Sequence, residues 1–244
     1  MSKPKLAILM SGHMRSFRLT SPSFLLLRES LKEKYECKTF IHTWNISESH
    51  TRSYYNKPTD LNVEKVDYDL LNTLYSPDSA LIEKQDFADE AFVLSNQSLA
   101  GLCCSEYSKY KSNQLKKEYG EFDLAISLRP DVHFYSTELP EFSSEYVSLG
   151  SVRHNGAACD LISFCSSKLM DRVRDFHLCY EQYLKTYSLP NNEAYFIKYL
   201  NNSGIKFKLE DYYMPRDWKI VRSWWPSVDH FDGDRQTWDN KYER

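Results

Sequence analysis

The sequence predicts an α/β domain: one mainly parallel sheet flanked by helices, with an antiparallel element in the C-terminal half. Three observations predict it. Short apolar runs alternate with amphipathic stretches through the first half of the chain, then mix with less regular spacing. The runs KLAILMS and CKTFIHTW stand one helix apart, the arrangement of a βαβ unit with a right-handed crossover. The chain's 244 residues, 41% of them hydrophobic and 27% charged, suffice for one sizeable core and exclude collagen-like, disordered and low-complexity classes.

The elements follow in order. Residues 5–11 form a buried strand, stopped by Gly12. Pro22, with Ser21 as N-cap, marks the first turn of a helix whose inner face carries Phe24, Leu27 and Leu31. Residues 37–44 are the second strand. Residues 45–65 are polar and aperiodic and read as a long surface loop of the lid or binding type. A short helix over 67–75 stops at Ser76-Pro77, and 80–84 is a third strand. A long helix over 98–119, closed by Gly120, takes its inner face from Tyr107, Tyr110 and Leu115. Residues 122–128 are a strong strand running straight into RPDVHF; 146–149 and 161–164 are shorter ones. Helices over 168–185 and 191–200 and a last strand over 205–209 complete the pattern. No repeat or linker divides the chain, so residues 1–222 are expected as one domain, with 223–244 an aromatic tail packing on it.

Charge and cysteines narrow the partners. Lys and Arg total 31 and Asp and Glu 34, a net charge of −3, which excludes a generic nucleic-acid binder. Six cysteines show neither CxxC nor zinc spacing and sit mostly in apolar runs. The first apolar run is shorter than a secretory signal needs, and no stretch is long and apolar enough to span a membrane. A cytoplasmic location is expected from these observations. The tail holds Trp224, Trp225 and Trp238, with Trp218 just before it. These side chains stack on sugars, touch a membrane surface peripherally or pack back on the domain. The run 229–234 (DHFDGD) reads as a solvated turn, because it has half of a calcium loop and no closing glutamate.

In parallel α/β sheets, ligands lie at the carboxyl ends of the strands, and that rule selects the candidate residues. After the first strand come Ser11, Gly12 and Arg15: a glycine that lets backbone approach a ligand, and a guanidinium suited to phosphate. Neither GxxxxGK[ST] nor GxGxxG is present. Trp44 ends the second strand, either as a stacking face or as core. Past the fourth strand stand Arg129 and Asp131, separated by a proline that bars continuation in mid-sheet. Asp131 suits a divalent ion bridging two phosphates; the competing reading is an ion pair with Arg129. Asp160 opens an apolar strand as a cap or as a placed functional group. Glu193 sits in the first turn of a helix, favoured there by the dipole or placed to take a proton from a hydroxyl.

The order SGHMR, FIHTW, a Ser/Tyr-rich helix, then YGEFDLAISLRPDVHF, CDLISFCSSKLM and LPNNEAYFIKYL resembles a group of small glycosyltransferase-like proteins from bacterial and large-virus surface-polysaccharide gene sets, over residues 5–210 or so. The resemblance implies a GT-A-like fold, a nucleotide-sugar donor and a glycan acceptor, with a divalent metal (Mn²⁺ or Mg²⁺) on an Asp-x-Asp motif. This chain has Arg129-Pro130-Asp131 at that position, one carboxylate instead of two. By position the resemblance places Ser11, Gly12 and Arg15 at the nucleotide, Asp131 at the diphosphate or metal, and Asp160 or Glu193 at the acceptor. Trp44 and Arg129 are counted with the donor-binding residues. A sulfotransferase-like phosphate enzyme and a non-catalytic carbohydrate-binding scaffold are the alternatives.

Overall fold

A computed structural model of the chain describes residues 2–48, 63–84, 97–151, 158–189, 191–214, 216–221 and 227–228. Its strands are β1 (Lys5–Ser11), β2 (Glu36–Trp44), β3 (Ser79–Glu83), β4 (Leu124–Leu128), β5 (Val132–Phe134), β6 (Val147–Ser151), β7 (Ala158–Ser166), β8 (Phe207–Tyr213) and β9 (Trp218–Ile220). Its helices are α1 (Phe17–Lys34), α2 (Tyr68–Tyr75), α3 (Gln97–Tyr119), α4 (Ser167–Arg174), α5 (Phe176–Thr186) and α6 (Asn192–Asn202).

Seven strands make one sheet in the order β3-β2-β1-β4-β7-β6-β8, and β5 pairs with β9 in a small antiparallel sheet. The pairs β1–β2, β1–β4, β2–β3 and β6–β8 are parallel. β7 alone runs against its neighbours β4 and β6. The expected class is therefore the one observed, antiparallel element included. The register has a functional consequence. Ser127 of β4 lies opposite Ser163 of β7, so the carboxyl end of β4 meets the amino end of β7. Arg129, Asp131 and Asp160 are thereby drawn to one edge, along with the loop that leaves β1.

Alternation along β1 divides the core between two faces. Leu6, Ile8 and Met10 pack with Phe24, Leu27 and Leu31 of α1, while Ala7 and Leu9 join Phe40 and the helices on the opposite face. A seven-stranded sheet covered on both sides explains the near-continuous apolar character of these strands.

Four local expectations are corrected. First, α1 begins at Phe17, a full turn before Ser21, and Pro22 lies inside it. The added turn is held by tertiary hydrogen bonds: Ser16 Oγ donates to the Val221 carbonyl (2.7 Å) and Thr20 Oγ1 to the Pro130 carbonyl (2.6 Å). Second, the helix expected over 168–185 is two, broken at Asp175. Third, the inner face of α3 carries Glu106, Lys109, Asn113 and Lys116, all buried, while Tyr107, Tyr110 and Leu115 are only partly so. Fourth, β5 and β9 are strands where none was expected. Of the tail, Trp224, Trp225 and Trp238 lie outside the described residues, as does the run 229–234. Trp218 is fully buried in β9, its ring against Gly150. Residues 49–62 of the long polar loop are likewise outside the described set, while Ile46 and Lys65 bridge its ends.

Candidate active site

The site starts where β1 ends. Ser11 is buried and pairs in register with His42. Gly12 follows with φ +113°, a conformation L side chains rarely adopt, and its N–H donates to the His42 carbonyl at 3.2 Å. This turn delivers Arg15, whose Nε lies 3.0 Å from Glu48 Oε1 and whose Nη1 lies 4.0 Å from Asp131 Oδ2. The loops after β1 and β4 thus converge, as the strand-end rule required.

Asp131 is fully buried, and its main chain is anchored by Val221 N–H donating to its carbonyl. Arg129 grips its carboxylate with both prongs: Nε donates to Oδ1 at 2.8 Å and Nη2 to Oδ2. Both carboxylate oxygens are engaged by a guanidinium, with a second guanidinium at 4.0 Å. This donor set does not fit a divalent cation, which needs free carboxylate oxygen and little competing positive charge. Among the described residues, no three His, Cys, Asp or Glu side chains gather as a metal cluster.

The chain of charges continues toward β7. Asp160 is buried and accepts from Lys109 Nζ at 2.6 Å; the same ammonium donates to Glu106 Oε1 at 2.6 Å. Arg174, from α4, is also buried and donates through Nη2 to Ser163 Oγ at 2.6 Å. Burial pushes the Asp160 carboxyl up, but the attraction of Lys109 and its hydrogen bond, then Arg129 and Arg174, outweigh it and hold it below the ordinary range. Lys109 mirrors this: burial pulls the ammonium down, and Asp160 and Glu106 more than restore it. Glu193 stands half-buried in the first turn of α6, behind the N-cap Asn191, whose side chain accepts from Ala194 N–H. Burial first, and then the charge of Asp160, push its carboxyl upward, opposed by a hydrogen bond from its own backbone and then by Lys109 and Arg129. Their surroundings therefore push the two candidate carboxyls in opposite directions.

Trp44 has a different setting. The indole is 1% exposed, stacked on Tyr107 (centroids 5.9 Å, interplanar 18°) and edge-on to His42 (5.1 Å, 90°). Its surface is taken up by protein rings, the packing alternative read for it. Beside it, His42 bonds Ser108 Oγ through Nδ1 (2.7 Å) and Glu83 Oε2 through Nε2 (2.8 Å). Burial brings this imidazole down to about 4, against the pull of Glu83. The neutral ring with its proton on Nε2 satisfies both contacts.

Sequence reasoning missed Glu48, Glu106, Lys109 and Arg174. For Glu106 and Lys109 a signal existed: with Asn113 and Lys116 they recur at spacings of three, four and three, one stripe of a helix. A polar stripe ordinarily reads as the solvated face, and here it is the buried one.

No protein-family model matches the chain, and no curated protein matches it. Two solved structures that share part of its outline are glycosyltransferases. One is a glycosyltransferase involved in the glycosylation of the major capsid of PBCV-1, with a TM-score of 0.42 and 10% identity, covering 85% of this chain and 82% of that one. The other is the apo-form glycosyltransferase GlyE of Streptococcus pneumoniae TIGR4, with a TM-score of 0.41 and 9% identity, covering 86% of this chain but 46% of that one. No helix among the described residues is long and apolar enough to cross a membrane.

Proposed function

We propose that this chain is a GT-A-like glycosyltransferase that moves a sugar from a nucleotide-diphosphate donor to a hydroxyl of a glycan acceptor. One observation carries the reading: Arg15, Asp131 and Arg129 meet at the carboxyl ends of β1 and β4, at the edge of the sheet where Asp160 opens β7. The two guanidiniums supply the positive charge that the proposed diphosphate needs, and Glu193, its carboxyl pushed up chiefly by burial, is the proposed base.

In this reading the turn at Ser11 and Gly12 admits the donor, and Arg15 and Arg129 face its diphosphate. Asp131 holds Arg129 in place and shares Arg15 with the nearer Glu48, in preference to binding a divalent ion. Glu193 accepts the acceptor's proton as the O–H bond breaks; the freed electron pair forms the new bond to the anomeric carbon. The bond from that carbon to the diphosphate breaks, and its electron pair leaves on the diphosphate, beside the guanidiniums. Buried Asp160 stays ionised and takes no proton.

A thermal-shift and calorimetric panel of UDP, GDP, CMP and dTDP sugars, with and without Mn²⁺, tests the reading. One donor is expected to bind, to bind at least tenfold more weakly in Arg15→Ala, and to need no metal. Folded protein that binds none of them contradicts it. The full burial of Asp131 favours a second reading, a non-catalytic sugar- or nucleotide-binding scaffold. Glu193→Gln separates the two: a transferase loses turnover and keeps donor binding, whereas a scaffold has no turnover to lose.

A further inference from the structure

Lys109 has no part in the steps above, yet it is the most deeply placed ammonium of the site, 2% exposed and bonded to two carboxylates at 2.6 Å each. Two carboxylates within electrostatic reach of each other in a poorly hydrated setting do not ionise independently. The one with the better cation contact gives up its proton first, and the other keeps it. The contacts here are unequal. Asp160 has the ammonium of Lys109 in direct hydrogen bond, with the charges of Arg129, just past β4, and Arg174, in α4, adding to the pull. Glu193 sits half-buried in the first turn of α6, one turn before Phe196, whose ring lies 5.8 Å from the Lys109 ammonium; burial and then the charge of Asp160 push its carboxyl up, against a hydrogen bond from its own backbone and the pull of Lys109 and Arg129. Cys159, beside Asp160 on β7, is buried with its thiol pushed up by burial, so it adds no charge.

We propose that Lys109 is a positioning residue for the Asp160–Glu193 pair: by bonding Asp160 it assigns the ionised state to that side chain and leaves the exchangeable proton to Glu193. The assignment rests on the transferase reading only for the use made of that proton. Glu106 completes the device by holding the ammonium from its own helix, one turn away.

Carboxyl-labelled Asp and Glu in the full chain allow both groups to be titrated by carbon NMR without any donor. In the parent protein Asp160 is expected to titrate below the ordinary carboxylate range and Glu193 above it. In Lys109→Met the order reverses: Asp160, without its bonded ammonium, keeps the proton, and Glu193 ionises first. Lys109→Arg restores the parent order, which lost packing alone would not explain. A Lys109→Met protein in which Asp160 still ionises first overturns the proposal. Should that variant not fold, Asp160→Asn serves: Glu193 must fall toward its ordinary value, and an unmoved Glu193 overturns the proposal equally. In the transfer assay, the acid limb of kcat/KM moves with Glu193. A limb that stays fixed while the NMR titration moves refutes Glu193 as the base and leaves the role of Lys109 intact.

Discussion

Replacing Arg129 with Met strips the buried carboxylate of Asp131 of the guanidinium that engages both its oxygens. Removing one partner of a buried ion pair costs about 3–5 kcal/mol, because the remaining charge is left without compensation. Two features of the site place this case at the low end. Arg15 stays 4.0 Å away, and an opposite charge at that distance is worth roughly 4 kcal/mol before desolvation at an effective dielectric constant of about 20. Arg129 is itself 19% exposed, so the pair is not wholly cut off from water. The expected loss is about 3 kcal/mol, read by urea unfolding of the full chain as a midpoint lowered by roughly 1 M or more with an unchanged slope. Arg129→Met with Asp131→Leu should recover most of it, since no orphan charge remains. A single variant within about 0.5 kcal/mol of the parent would show that the pair carries no such load, and the account of Asp131 as the anion that holds Arg129 in place would be refuted.

Other outcomes follow from the same geometry. His42 is neutral in the fold with its proton affinity brought down to about 4 by burial, against 6.5 for the ordinary group, so the unfolded chain binds the extra proton first. Its contribution is whole above pH 6.5 and declines as pH falls toward about 4, by up to ~3 kcal/mol; His42→Gln should flatten that slope in urea titrations across the interval. Gly12→Ala meets no atom within 4 Å, so its cost is conformational, about 1–3 kcal/mol from φ +113° alone; an unchanged unfolding midpoint would contradict the backbone assignment. All six cysteines are free thiols, and burial pushes Cys103 and Cys165 up to about 12 and Cys37 up to about 11. Titration with a thiol reagent at pH 8 should find six reactive groups in denaturant and far slower reaction of these three in the folded chain.

The sequence could reveal what strand periodicity and strand ends encode. KLAILMS was legible as β1 to the residue, because an apolar run closed by glycine has few alternatives. The meeting of Arg15 with Asp131 was legible because both follow parallel strands, and the ends of adjacent parallel strands lie together. Other features depended on partners distant in sequence. Pro22 and Ser21 carry a sound local start signal, yet α1 starts earlier because Pro130 and Val221 accept from its first turn. The three-residue strands β5 and β9 have no periodicity to read and exist only through each other. Lys109 gave no sign of a site residue, because nothing local shows that Asp160, 51 residues on, will meet it in the interior. Trp44 had both readings open, and Tyr107 and His42 close around it.

The central claim is that the charges joining β1 to β4 receive a donor's diphosphate. A crystal structure of the protein with its nucleoside diphosphate tests this most directly. The account predicts the phosphates against the guanidiniums of Arg15 and Arg129, with the sugar side directed toward Glu193. Phosphates bound at another edge of the sheet, with these two side chains still closed on Asp131, would contradict it.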